Sequence, residues 1–338
     1  MNSGPRLGIV GATGTLGQDL LEVLDEANLG LAEVRAFAGD RSLGKTVEFA
    51  GEPLPVEAGE VELTGLDAVV LCTPAAAALE LIRGALRTEV PCIDCSGALL
   101  ASSEVPLVLA DLGAHDGVSA APLISAPNGA TLVWGPVLSA IQRRAGLLRV
   151  VGTVLHSASS AGRAGIEALS EQTLALMGQR EQPENVIGDG PVAFGSLPHS
   201  APGEGEQGKD GAAPAEDDLR VALQRLLGRE VAVASSSVYV PSFAGQGGTL
   251  WVETDQPLSA EEAEGLLAAS PGIEVTHDSE EASTRERVGR DTIRIACLRN
   301  DPAASDPQCS LMFWVAADPV RLAAQNAVKL LRTRLSLA

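Results

Sequence analysis

The sequence predicts an α/β protein of two domains, a parallel sheet covered by helices and then a second α/β domain built on a mixed sheet. Three observations carry this. Short Val, Ile and Leu runs alternate with amphipathic helical patterns through residues 1 to 127, as buried parallel strands and their crossover helices do. From residue 147 onward long strands follow one another with few helices between them, the pattern of a mixed or antiparallel sheet. A length of 338 residues suits about two domains, and 45% hydrophobic with 20% charged residues describes a globular chain.

The first element is "RLGIV", a short buried strand carrying Leu7, Ile9 and Val10. Gly11, Gly14 and Gly17 follow at G-x-x-G-x-x-G spacing, and an amphipathic helix then carries Leu20, Leu21, Val23 and Leu24. Strand, glycine turn and helix N-terminus together make a pyrophosphate site, which predicts a Rossmann-type dinucleotide-binding domain. The second strand, "EVRAFAG", runs into "DRSLGK", where Arg41 and Ser42 suit a 2′-phosphate although Asp40 stands beside them. "LDAVVLCTP", the helix "AAAALELIRGALRT", "VPCIDCSG", "VPLVLADLG" and "PLISAPN" continue the alternation as further strands and a helix. Thr73 and Pro74 close a central strand at the edge where such sheets bind ligands.

"APNGAT" then turns a strand into the helix "TLVWGPVLSAIQRRAG", so backbone N–H groups and a positive dipole end face the turn at Asn128 and Gly129. A cysteine in such a place ionises easily. Gly129, however, has no side chain. In the second domain, "LLRVVGTVLHSAS" reads as a long strand and "GRAGIEALSEQTLALMG" as a helix, joined by the small-residue turn "SSAG" with Ser159 and Gly162 near a cofactor. Residues 198 to 216 are rich in Gly, Pro and acid and read as a flexible surface loop inside this domain. "DDLRVALQRLLG" is a helix, "VAVASSSVYVPSF", "GTLWVETDQPL", "DTIRIACLR" and "CSLMFWVAAD" are strands, and the closing helix at 318 to 338 returns to the first domain. The predicted division is therefore 1–127 with 318–338, and 128–317.

A net charge of −20 argues against nucleic acid and anionic membrane as partners. No apolar run has the length of a membrane span, and the N-terminus has no signal-peptide anatomy, which points to the cytoplasm. The five cysteines lack zinc spacing, and no metal is expected. Cys92 and Cys95 form a C-x-x-C, but on a strand they point to opposite faces, so a redox pair is the weaker reading. His115, His199 and His277 carry no spacing signal.

The ordered motifs "VGATGTLGQDLLEVLDE", "RSLGK", "IDCSGALL", "APNGAT", "SSAGRAGIEALSEQT", "VYVPSFAGQ", "DPQCSLMFWVAAD" and "AAQNAVKLL" resemble the aspartate-semialdehyde dehydrogenase family over nearly the whole chain. The resemblance implies an NADP-dependent, usually dimeric enzyme that reduces an aspartyl phosphate to the semialdehyde through a cysteine thioester. It implies cofactor contacts from Gly11, Thr13, Gly14, Thr15, Leu16, Arg41, Ser42 and Asn326. The chemical positions depart from the family. Gly129 stands where the family has its nucleophilic cysteine, His156 replaces an orienting glutamine, and Gln246 replaces the acid/base histidine. Tyr239 and Leu100 replace the arginines that grip carboxylate and phosphate, while Ala215 and Asp218 replace a glutamate and a lysine. Each change removes nucleophilicity, positive charge or a proton carrier. The chain is similar in this to the Usg-like branch of the family, which lacks the cysteine.

Two readings follow, with a third behind them. One is an NADP-binding homodimer, a pseudoenzyme with a role in interaction or sensing. The other is an active oxidoreductase on a different, uncharged carbonyl substrate, with His156 or Tyr239 as proton donor. A weaker third moves the thiol to Cys95 or Cys72; ordinary buried cysteines are the preferred explanation of both. The dimer is expected on the second domain's sheet and the helix at 163 to 178, where "LMFWVAAD" and "TLWVETD" leave large apolar surface.

Overall fold

The computed structural model describes residues 4–113, 120–181, 183, 187, 190–198 and 214–337, without the side chains of 214 and 215. The chain forms two compact units, Met1–Asn128 with Val320–Ala338, and Gly129–Pro319. His115, His199 and most of the predicted acidic loop lie outside the described residues.

The first unit holds strands β1 (Arg6–Val10), β2 (Glu33–Ala38), β3 (Thr46–Phe49), β4 (Glu52–Ala58), β5 (Ala68–Leu71), β6 (Cys92–Asp94) and β7 (Leu123–Ser125). Their order is β3-β4-β2-β1-β5-β6-β7, parallel throughout except for the β3–β4 hairpin. Helices α1 (Thr15–Ala27), α2 (Ala75–Arg87) and α7 (Pro319–Leu335) cover it. Each face has its own core. Leu7, Ile9, Leu20, Leu24, Ile93 and Ile124 pack with Ala324, Ala327, Val328 and Leu331 of α7. On the other face Val10, Phe37, Val69 and Leu71 pack with Ala78, Ile82 and Ala85 of α2. Burial on both faces explains why these strands read as continuous apolar runs.

Cys95 belongs to the first cluster and Cys92 to the second, so the C-x-x-C thiols do lie on opposite faces. The segment "VPLVLADLG" departs from expectation. It makes a single bridge, Leu107 to Ser125, and then a 3-10 turn at Ala110–Leu112 instead of a strand. The amide of Asn326 on α7 is the reason: Nδ2 donates to Val108 O at 3.2 Å, and Oδ1 accepts from Ala110 N at 2.8 Å. Backbone groups satisfied by a side chain have no need of a strand neighbour.

The second unit contains α3 (Gly129–Ala145), β8 (Arg149–His156), α4 (Gly162–Met177), β9 (Leu197–Pro198), α5 (Pro214–Leu227), β10 (Ala232–Tyr239), β11 (Gln246–Glu253), α6 (Ala260–Ala268), β12 (Ile273–Val275), β13 (Ile293–Asn300) and β14 (Ser310–Ala317). The sheet order is β12-β13-β14-β11-β8-β10-β9, with β8–β10 and β12–β13 parallel and the rest antiparallel. This is the predicted mixed sheet. Trp134 of α3 is fully buried against glycines of β8 and β11; a Cβ at Gly152 would lie 2.6 Å from its ring. Alternate residues on the other face include Val151, Thr249, Trp251 and Met312, and Trp251 remains 37% exposed.

Candidate cofactor site and the side chains gathered on the second sheet

In the first unit the turn after β1 is closed by backbone bonds. Gly11 N and Ala12 N both donate to Phe37 O, at 2.8 and 3.1 Å, and Gly14 N donates to Gly11 O at 2.9 Å. Gly11 has φ +90, and a Cβ there would lie 2.5 Å from Cys72 O. A Cβ at Gly17 would lie 2.3 Å from Gly11 O, so that glycine lets α1 start hard against the turn. The α1 N-cap is Gly14, without a side-chain cap and without acid in the first turn. Uncapped N–H groups at a helix start and a glycine cradle are what a pyrophosphate requires. Thr15 and Leu16 are the first residues of that helix.

Thr13 Oγ1 lies 3.0 Å from Ser42 Oγ, which ties the phosphate turn to the turn after β2. Ser42 is buried there and Arg41 is exposed beside it, both in the 3-10 turn Asp40–Ser42. A groove beside these turns is lined by Gly11, Gly39, Gly59, Thr73, Ala77 and Arg87. Thr73 Oγ1 faces no protein partner among the described residues. Gly59 and Arg87 escaped the sequence reading, since neither falls in a motif. The residues therefore fit a dinucleotide, with Asn326 fixing the 108–110 loop. Leu100 and Asn128 meet elsewhere in this unit: a Cβ on Gly97, which has φ +83, would lie 2.5 Å from Asn128 Nδ2 and 3.4 Å from Leu100 Cδ1. Leu100 is 2% exposed.

The thiols of this unit are poor nucleophiles. Burial, with Asp94 adding to it, pushes Cys72 up to about 12. Burial also raises Cys92 and Cys95, and their charge-bearing neighbours, Asp94 among them, push the same way. A thiol so raised is not a thiolate near neutral pH, which removes the support for a relocated nucleophile. Asp94 is itself raised by burial, opposed by hydrogen bonds from Ser96 and Leu99.

In the second unit, Gly129 is the first residue of α3, with φ +50 and open space where a Cβ would be. His156 and Tyr239 are register partners at the ends of β8 and β10, and Gln246 begins the neighbouring antiparallel strand. The sheet thus brings these three together. Gln246 Nε2 lies 3.4 Å from His156 Nδ1, His156 Nε2 lies 3.3 Å from Ser237 Oγ, and the rings of His156 and Tyr239 are 5.8 Å apart. Ser157 and Ser159 hydroxyls bond at 3.0 Å in the turn before α4, and Gly162 opens that helix with φ +70 and open space about it. Asp218 is exposed on α5. Its neighbour Glu216, unremarked in the sequence, accepts from Ser237 N at 2.7 Å and so links α5 to β10.

A nucleotide-type sheet joined to a mixed-sheet unit is the class of the two-domain semialdehyde dehydrogenases, and comparison with known proteins gives the same class. Residues 6–119 match the family described as "Semialdehyde dehydrogenase, NAD binding domain", and residues 138–322 match "Semialdehyde dehydrogenase, dimerisation domain". The aspartate-semialdehyde dehydrogenase of Aquifex aeolicus is 30% identical over 336 residues, 97% of each chain. That of Mycolicibacterium smegmatis is 29% identical, covering 96% of this chain and 97% of its own. A crystal structure of aspartate semialdehyde dehydrogenase II from Vibrio cholerae superposes with a TM-score of 0.89 at 26% identity, covering 98% of both chains. The Candida albicans enzyme, solved with NADP, shares the fold at 15% identity with a TM-score of 0.72. The chain belongs to the aspartate-semialdehyde dehydrogenase family, and its first unit is that family's NAD-binding domain.

Proposed function

We propose that this chain is an NADP-binding homodimer of the Usg-like kind, which has kept the family's cofactor architecture and lost its thioester chemistry. The observation that carries the reading is Gly129. At the first residue of α3, where the family's cysteine is expected, there is no side chain, and the backbone has φ +50. The other departures from the family pattern agree with that loss: Leu100 and Tyr239 for arginines, Gln246 for the acid/base histidine, Asp218 for a lysine. A doubly anionic acyl phosphate has little to hold it there. The test is a spectrophotometric assay with aspartate semialdehyde, phosphate and NADP; no turnover is expected, and measurable turnover by the natural protein sinks the reading.

NADP, when bound, supplies or accepts a hydride. Gly11, Gly14 and the first turn of α1 hold its pyrophosphate, and Arg41 and Ser42 receive the 2′-phosphate. Thr73 Oγ1, which has no protein partner among the described residues, lines the groove beside these turns. Charge-assisted pairing to Arg41 is expected to favour NADPH over NADH about thirtyfold. Calorimetry checks this, and Arg41→Ala is expected to erase the preference with the fold unchanged.

A second reading rests on Tyr239. Burial pushes its phenol up, opposed by a hydrogen bond with Ser160, so it holds a proton at neutral pH. That proton suits reduction of a small uncharged carbonyl compound. NADPH oxidation against a panel of neutral aldehydes tests it.

A further inference from the structure

Asn128–Gly129 is the one Asn-Gly dipeptide in the chain of 338 residues. In such a pair the glycine backbone nitrogen can attack the asparagine side-chain carbon Cγ, since no Cβ on the following residue shields the approach. The reacting atoms are separated only by Asn128 Cβ, Cα and carbonyl carbon. Their meeting therefore needs only rotation about the bonds of Asn128.

The fold does not guard this pair. Gly129 is the first residue of α3, where backbone N–H groups have no acceptor within the helix. Nothing lies within 4 Å of its Cβ position, so a ring closed at this nitrogen has room. Asn128 is half-buried, so water reaches it, and no hydrogen bond to a protein group among the described residues restrains its amide. Asn300 and Asn326 show the opposite case. The amide of Asn300 accepts from Ala260 N and donates to Leu258 O and Pro307 O, and that of Asn326 is held by Ala110 N and Val108 O. The first turn of α3 also carries no acidic residue. Its positive dipole end is uncompensated and favours negative charge, first on the attacking nitrogen and then on the product.

We propose that Asn128–Gly129 is a self-modification site, at which the Asn128 amide is converted by water to a carboxylate at the start of α3. Gly129 N gives its proton to hydroxide and bonds to Asn128 Cγ. The Cγ–Nδ2 bond breaks, and ammonia leaves with a proton taken from water, which closes a cyclic imide. Water then adds to one of the two imide carbonyl carbons and breaks its bond to Gly129 N. Opening at the Asn128 backbone carbonyl gives isoaspartate, and opening at Cγ gives aspartate. Nothing is oxidised or reduced, and water is the only reactant consumed. The negative charge that the family resemblance assigns to a thiolate is then supplied by a carboxylate one residue earlier. The reaction depends neither on cofactor binding nor on semialdehyde turnover.

The full-length protein is incubated in buffer at mildly alkaline pH, and peptide mapping by mass spectrometry follows each asparagine. The peptide containing Asn128 is expected to gain one mass unit and to split into aspartyl and isoaspartyl forms, with matching release of ammonia. Its rate should rise with pH, while the peptides of Asn300 and Asn326 stay unchanged. Folded protein should react at least as fast at Asn128 as the same protein unfolded in urea. Asn128→Gln moves the amide carbon one bond further from the nitrogen and should slow the reaction about tenfold or more. Asn128→Asp should release no ammonia and co-elute with the aspartyl product. The proposal is overturned by an unchanged mass at Asn128, by slower reaction in the folded than in the unfolded chain, or by an equal rate in Asn128→Gln. The first two measurements use the natural protein alone, so they stand whether or not a variant folds.

Discussion

At Gly129 the backbone and the missing side chain have separable consequences. An ideal Cβ meets nothing within 4 Å, so Gly129→Cys has room. Its φ of +50 is left-handed, and a cysteine there is expected to cost about 1–2 kcal/mol of stability. The helix N-terminus lowers the new thiol's pKa, so iodoacetamide should label it faster than any native cysteine. Turnover is still not expected. Each missing charged contact costs roughly 2–4 kcal/mol, and the lost proton carrier removes about a further hundredfold. Fast labelling without semialdehyde activity is the expected pair of results, and activity in this single variant contradicts it. Asp94 gives a second prediction at the same scale. Its carboxyl is fully buried, Oδ1 is held by Ser96, and Oδ2 has no partner among the described residues. Because burial raises its folded pKa above the unfolded value, folding takes up a proton between the two. The associated stability is present in full below the unfolded pKa and is lost as pH rises through the folded one. Asp94→Asn escapes that loss. Its advantage in Tm over the natural protein should be smallest near pH 4 and grow as pH rises; a gap independent of pH contradicts the assignment.

Between residue and whole chain, glycines decide where helices start. Gly17 and Gly165 each sit at the beginning of a helix with a backbone oxygen where their Cβ would be, Gly11 O at 2.3 Å and Ala158 O at 2.2 Å. Backbone cannot swing aside as a side chain does. Gly17→Ala is therefore expected to push α1 off the turn, cost about 1–3 kcal/mol in chemical denaturation, and weaken NADPH binding with it. Unchanged binding and stability would remove the close approach as the reason for that glycine. The cradle was legible in the sequence because this approach demands glycine at fixed spacing after a strand. The β3–β4 hairpin was not: Pro53 and Pro55 interrupt its second strand, which survives because both prolines precede Val56–Ala58, the stretch of β4 that pairs with β2. Helix α6 does carry a local sign, the capping box of Ser259 and Glu262, but the acidic run around it masks the pattern. "VPLVLADLG" misled because Asn326, 216 residues away, takes over its backbone. In the candidate site, Gly129, His156, Tyr239 and Gln246 were all legible by position. The pairing of His156 with Gln246 was not, because it depends on an antiparallel register that no local pattern encodes.

For the whole molecule the question is what covers the open face of the second sheet. On that face Trp251 stands between its register partners Val151 on β8 and Met312 on β14, and it is 37% exposed. Helix α4 separately exposes Leu174 at 66% and Met177 at 73%. Apolar side chains left exposed on a broad sheet are what an interface between like subunits buries, and the family match over 138–322 is named a dimerisation domain. Charge works against this. Two chains of −20 each repel at long range, so association should be weakest at low ionic strength and tighten as salt screens the repulsion. Sedimentation at micromolar concentration in 0.15 M salt should therefore give twice the 34.6 kDa chain mass, with some dissociation at a tenth of that salt. Trp251→Glu places a carboxylate in the middle of the apolar face and should yield a monomer at every salt concentration. Its NADPH affinity should be that of the natural protein, since the phosphate cradle belongs wholly to the first unit. A natural protein that sediments as a monomer refutes the homodimer, and a Trp251→Glu variant that stays dimeric would place the contact elsewhere on the chain.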